Sequence, residues 1–144
     1  MARKRGGRRL ARELALQALY ATDVGGAETG PALEAAASER GAKKAVTEFA
    51  DELLRGVSDR LDEIDAAIAE VTEHWDVERI ACVDRQIVRL GAYELLFRED
   101  IPPKVALNEA IELAKMYGSD ESSGFVNGLL DAILERSGKR SPSA

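Results

Sequence analysis

Apolar residues recur along this chain in steps of three and four, the spacing that lines one face of an α-helix. Between Lys43 and Trp75 the series is Phe49, Leu53, Val57, Leu61, Ile64, Ile68, Val71 and Trp75, which describes one long helix or two in line. Gly56 and the polar pair Ser58-Asp59 put a bend near its middle. Upstream, Leu10, Ala11, Leu14, Ala15, Ala18 and Ala21 share a face of a first helix, expected to start near Arg8 because Gly6-Gly7 forms helix poorly. A short second helix opens at Pro31 and stops at Gly41. Asp76 is placed to cap a helix from Val77 to about Arg98, with Ile80, Val83, Ile87, Leu90 and Leu95 on its stripe and Gly91 allowing a close crossing. Ile101-Pro102-Pro103 ends it. The next helix spans Ala106 to Tyr117 with a small-residue seam of Ala106, Ala110 and Ala114, and a last one opens at Ser119 or Asp120. No strand-like alternation of useful length and no internal repeat occurs. The pattern predicts an all-α protein of six to seven helices.

Composition narrows what such a bundle does. Apolar residues are 45% of the 144, enough for a core, while aromatics are 5%, which suits helices better than strands. Cys82 and His74 are each the sole residue of their kind, which excludes an internal disulfide, a cysteine-cluster zinc site and any multi-histidine metal site within one chain. No phosphate-binding loop, GxGxxG, GxSxG or HExxH is present, so neither a metal nor a cofactor is expected, and catalysis loses its usual carriers. Apolar runs are too short to span a bilayer, and Arg12, Glu13 and Gln17 interrupt the one stretch that loosely resembles a signal peptide. A cytoplasmic protein without a membrane partner is expected.

Charge changes the picture more. Arg3, Lys4, Arg5, Arg8, Arg9 and Arg12 precede the first acid, Glu13; the fourteen other Lys and Arg residues face 26 Asp and Glu. A cationic tip on an anionic body points to an anionic partner for the tip, because net charge alone would repel nucleic acid. Arginines suit bidentate phosphate contacts and stacking on bases. At 100° per residue Arg9 and Tyr20 fall on one side of the first helix, about 16 Å apart along its axis. The ring either stacks an unpaired base or packs with Leu16 against another helix. Asp84 and Glu94 lie on or beside an apolar stripe, about 15 Å apart on one helix, too far for a carboxylate pair, and read as hydrogen-bonded structural acids.

Two C-terminal segments carry a resemblance. Pro102-Pro103-Lys104-Val105-Ala106-Leu107-Asn108-Glu109-Ala110-Ile111-Glu112-Leu113-Ala114-Lys115, with Tyr117-Gly118, resembles a signature of the NusB transcription antitermination factors, and Phe125-Val126-Asn127-Gly128-Leu129-Leu130-Asp131 continues it. Arg12-Glu13, Ala18-Leu19-Tyr20, Trp75, Asp84-Arg85, Arg89 and Tyr93-Glu94 also sit where that family has them. The resemblance implies two packed helical subdomains, residues 8–75 and 76–136, with a flexible basic arm at 1–7 and a frayed tail at 137–144. It implies a non-catalytic factor that binds boxA-type single-stranded RNA together with ribosomal protein NusE and joins an antitermination complex on RNA polymerase, supporting ribosomal RNA transcription. By position, Arg3, Lys4, Arg5, Arg8, Arg9, Arg12, Tyr20 and Asp84 would face RNA, and Tyr117, Glu121 and Phe125 would face NusE. Family members differ in oligomeric state, so a homodimer that covers the arm stays open. The alternatives are a purely structural helical interaction module, or an RNA-targeting domain akin to that of ribosomal RNA cytosine methyltransferases.

Overall fold

The computed structural model describes the backbone of residues 2–72 and 76–139, with side chains from Gly7 onward; the side chains of Arg3, Lys4 and Arg5, together with Trp75, lie outside the described residues. Among the described residues, seven α-helices and a 3-10 turn follow one another: α1 (Ala2–Gly25), α2 (Thr29–Arg40), α3 (Lys44–Asp59), α4 (Leu61–Thr72), the turn Val77–Arg79, α5 (Cys82–Phe97), α6 (Pro103–Tyr117) and α7 (Ser122–Ser137). Among the described residues there is no strand, as the apolar spacing predicts. None of these helices is long and apolar enough to cross a membrane.

The chain forms two compact units, Met1–Asp59 and Arg60–Ala144. The division falls at the bend expected near Ser58-Asp59, so the long apolar series is two helices. It therefore assigns α4 to the second unit, whereas the family-based boundary at residue 76 grouped it with the first. The physical reason lies in the partners of α4: it packs on α5 and α7, burying Ile64 and Ile68 completely.

In the first unit, α1 packs on both α2 and α3. Ala11, Leu14, Ala15 and Ala18 are buried as their spacing predicts, opposite Phe49, Ala50, Leu53, Leu54 and Val57 of α3. The helix begins at Ala2 and runs through Gly6-Gly7, earlier than the expected start near Arg8. Two glycines cost about 1 kcal/mol each relative to alanine. α3 supports the helix there: a Cβ built on Gly7 would lie 3.5 Å from Val46 Cγ2. Gly41 closes α2 in a left-handed conformation (φ 61°), its N–H bonded to the last turn, as the sequence predicts.

In the second unit, α5 is the central element, buried continuously from Arg85 to Leu95. Gly91 makes this possible: an added Cβ would stand 2.6 Å from Leu130 Cδ1 of α7 and 3.3 Å from Ala110 Cβ of α6. Ala106, Ala110 and Ala114 are all buried, so the small-residue seam serves the close approach expected of it. One buried cation of α5 is paired with α4. Arg89 donates from Nε and Nη2 to both carboxylate oxygens of Asp65, each at 2.9 Å.

Other boundaries also differ from the sequence reading: α2 starts at Thr29 rather than Pro31, and α6 at Pro103 rather than Ala106. Asp76 heads the 3-10 turn without a side-chain cap, and α5 starts at Cys82. Arg85 explains this, because its Nη1 donates to the carbonyls of Glu78 (3.0 Å) and Ile80 (2.9 Å) and holds the segment off helix. The last helix opens at Ser122, whose buried Oγ accepts the Ser119 N–H at 2.9 Å. At the other end, Ser137 Oγ donates to Leu134 O and Lys139 Nζ donates to Leu96 O at 2.7 Å, while residues 140–144 of the expected frayed tail lie outside the described residues.

Candidate nucleic-acid interface

The described cations of α1 divide by environment. Arg8 is exposed, Arg9 is half-buried, and Arg12 is only 4% exposed. Four residues apart, Arg8 and Arg12 project from successive turns onto one neighbour, the ring of Phe49 in α3. The guanidinium carbon of Arg8 lies 4.2 Å from the ring centroid and that of Arg12 5.9 Å. Arg12 was expected to be part of a phosphate-facing ramp. It is enclosed by its neighbours and presents little of its own surface to solvent. Glu13 is likewise buried and accepts from Arg40 Nη1 of α2 at 3.2 Å. The solvent-facing charge of the described ramp is thus carried by Arg8 and Arg9.

Further along the helix, Leu16 is buried and Tyr20 is 42% exposed. These two residues, which shared one stripe in projection, separate because Leu16 turns toward the unit's core while Tyr20 stands near the edge of that face. Val24, one turn on, is 61% exposed, so the C-terminal end of α1 presents a ring and an isopropyl group to solvent. Sequence spacing did not single out Val24. Nor did it mark Phe49 as anything beyond core, and nothing in a periodic apolar series reports that a buried ring carries cations on its face.

Asp84 belongs to the second unit, in the first turn of α5, and is half-buried. A carboxylate there interacts favourably with the helix N-terminus, a structural role that needs no RNA. Glu94, the other acid on this helix, is 2% exposed, in keeping with a structural acid. Tyr117, Glu121 and Phe125 come together in sequence order around the α6–α7 connection. Tyr117 is 36% exposed at the end of α6, Glu121 is exposed, and Phe125 is half-buried one turn into α7, its N–H bonded to Glu121 O at 3.1 Å. Gly118 is required between them, because a Cβ there would collide with Ser122 and lie 2.8 Å from Ala114 O. Among the described residues, no group of three or more His, Cys, Asp or Glu side chains is arranged to hold a metal ion.

The NusB family model matches residues 9–135. The chain belongs to the NusB family. It is 51% identical over 130 residues to the transcription antitermination protein NusB of Geobacter sulfurreducens, covering 89% of this chain and 94% of that one. Its identity to the Myxococcus xanthus NusB is 48% over 132 residues, with the same coverage. The solved structure of T. maritima NusB superposes with a TM-score of 0.82 at 39% identity, covering 89% of this chain and 90% of that one. A solved complex of antitermination factors NusB and NusE with dsRNA contains a chain 31% identical to this one, with a TM-score of 0.81, covering 94% of this chain and 99% of that one. The NusB match opens at Arg9, so the cations from Arg3 to Arg8 precede it, whereas Arg9, Arg12, Tyr20, Asp84, Tyr117, Glu121 and Phe125 all fall inside it.

Proposed function

We propose that this chain is a non-catalytic, cytoplasmic transcription antitermination factor that binds boxA-type single-stranded RNA together with ribosomal protein NusE. In this reading it joins the antitermination complex on RNA polymerase and promotes processive transcription of ribosomal RNA. The observation that carries the reading is the near full-length likeness to a NusB chain solved with NusE and RNA. The side chains add the chemistry. Arg8 and Arg9 supply phosphate-binding charge, with Arg3, Lys4 and Arg5 extending it, and Tyr20 offers a stacking face on the same helix. Arg12 supports Arg8 from within. Asp84 accepts from a base amino group or remains a helix-terminal acid. Tyr117, Glu121 and Phe125 form the NusE-facing patch, a partly apolar surface with a negative charge that suits a basic ribosomal protein.

The deciding experiment titrates labelled boxA-type RNA against the full chain, alone and with NusE, at two salt concentrations. Binding should tighten with NusE and weaken with salt, log affinity falling by about 0.7 per phosphate engaged for each tenfold rise in salt on a single strand. The double charge reversal Arg8→Glu/Arg9→Glu should weaken binding while leaving the fold intact. Arg12→Glu belongs outside that set, because it would place a second buried acid beside Glu13. Salt-independent binding, or no response to the double reversal, removes the arm from the RNA surface. A duplex of the same sequence, run in parallel, tests the single-strand preference.

A further inference from the structure

Phe49 lies on α3 and is 8% exposed, one member of a buried stripe that any large apolar residue would satisfy. What distinguishes it is its load. Two arginines from successive turns of α1 lie over its ring, Arg8 at 4.2 Å and Arg12 at 5.9 Å. A guanidinium over an aromatic ring is attracted to the ring's face, and its position is restricted by that contact. The ring therefore limits the rotamers open to Arg8 and keeps its guanidinium at a defined place on the helix surface. An arginine on an unsupported helix surface would have to be ordered when RNA arrives, at a cost to affinity. The base of this arrangement is built from both helices, since α3 also backs α1 where Gly7 passes Val46.

We propose that Phe49 is a positioning residue for RNA binding: its ring pre-orders Arg8 directly, with Arg12 closing the inner side of the stack. The proposal rests on the reading of α1 as an RNA surface and deepens it. It makes RNA affinity depend on a buried side chain that never meets the strand.

The test uses the full chain and a labelled boxA-type single-stranded RNA, with NusE present, and compares Phe49→Tyr, Phe49→Leu, Arg8→Lys and the double variant Phe49→Leu/Arg8→Lys. Phe49→Tyr keeps the ring face and should bind within about twofold of the parent chain. Phe49→Leu and Arg8→Lys should each weaken binding by about three- to tenfold, the range of a modest cation–π contact. The double variant should be no weaker than the worse single one, because the two changes remove the same interaction. A purely structural Phe49 would lower the melting temperature without changing the affinity of the folded protein. Parent-like binding by folded Phe49→Leu, or singles whose effects multiply in the double, overturns the proposal. If Phe49→Leu does not fold, Arg8→Lys is read against Arg9→Lys, which loses the same guanidinium without the ring: a larger loss at Arg8 supports the platform, and equal losses reject it. The two readings fail separately. Indifference to Arg8→Glu/Arg9→Glu removes the RNA surface itself, whereas sensitivity there with indifference to Arg8→Lys and Phe49→Leu removes only the role of the ring.

Discussion

Tyr20 offers the sharpest measurement, because its two readings differ in magnitude as well as in kind. The ring is 42% exposed, so somewhat more than half of it is buried in the free protein. Full burial of a large apolar side chain stabilises a fold by about 1.5–3 kcal/mol, so the buried part of Tyr20 contributes about 1–1.5 kcal/mol. Alanine returns about 0.5 kcal/mol through its higher helix propensity, leaving a net loss of about 0.5–1 kcal/mol for Tyr20→Ala. A domain with about 5–15 kcal/mol of stability stays almost wholly folded after that loss. Stacking of an unpaired base on an aromatic ring contributes about 1–3 kcal/mol, which corresponds to roughly five- to 150-fold in affinity. The variant should therefore remain folded by circular dichroism and bind boxA-type RNA at least fivefold more weakly by fluorescence anisotropy. Tyr20→Phe keeps the ring face and should bind nearly as the parent does. Tyr20→Leu keeps apolar bulk without a π-face and should resemble Tyr20→Ala. Parent-like affinity in both Tyr20→Ala and Tyr20→Leu would refute the stacking reasoning, and a large drop in melting temperature would return the residue to the core.

Further variants probe the scaffold and the charge. Gly91→Ala should lower stability by about 1–3 kcal/mol through overpacking against Leu130 and Ala110, seen as a lower denaturation midpoint, and Leu130→Val should recover part of the loss. Arg89→Ala breaks a bidentate pair whose partner Asp65 is partly solvated and should cost about 2–3 kcal/mol in urea unfolding, with RNA affinity of the folded protein unchanged. Arg9→Glu should leave the melting temperature near that of the parent and reduce both RNA affinity and its salt dependence. Arg12→Ala should show the opposite balance, a lower melting temperature with a smaller change in affinity.

The helices were legible because their information is local. Steps of three and four marked the buried faces of α1 and α3, Gly41 marked a left-handed stop, and Gly91 marked a close crossing, each interpretable from a few neighbouring residues. Boundaries set by distant partners were not legible. Asp76 has the side chain of a helix cap, yet the start of α5 is decided by Arg85 reaching back to the Glu78 and Ile80 carbonyls. Likewise Gly6-Gly7 forms helix poorly alone and is helical where α3 backs it. The grouping of α4 followed the same rule: its apolar stripe continues that of α3 in sequence, but its buried residues belong to the second unit.

The candidate interface carries this distinction into function. Charge is visible in a sequence, whereas the exposure of each charge is set by what packs beside it. Six cations precede Glu13, and the described ones among them are graded in exposure. Arg12 is enclosed, Arg9 is intermediate, and Arg8 is exposed with its guanidinium fixed over a ring. A graded ramp behaves differently from a flexible basic tail. A tail gains affinity through charge number alone, so lysine replaces arginine with little loss and every cation contributes alike to the salt dependence. A stacked guanidinium contributes shape as well, so Arg8→Lys should lower affinity even though the charge is kept. The ratio of the Arg8→Lys effect to that of Arg9→Lys therefore measures how far the cationic surface is built by the fold. A ratio near one would mean that the fold merely carries the charge.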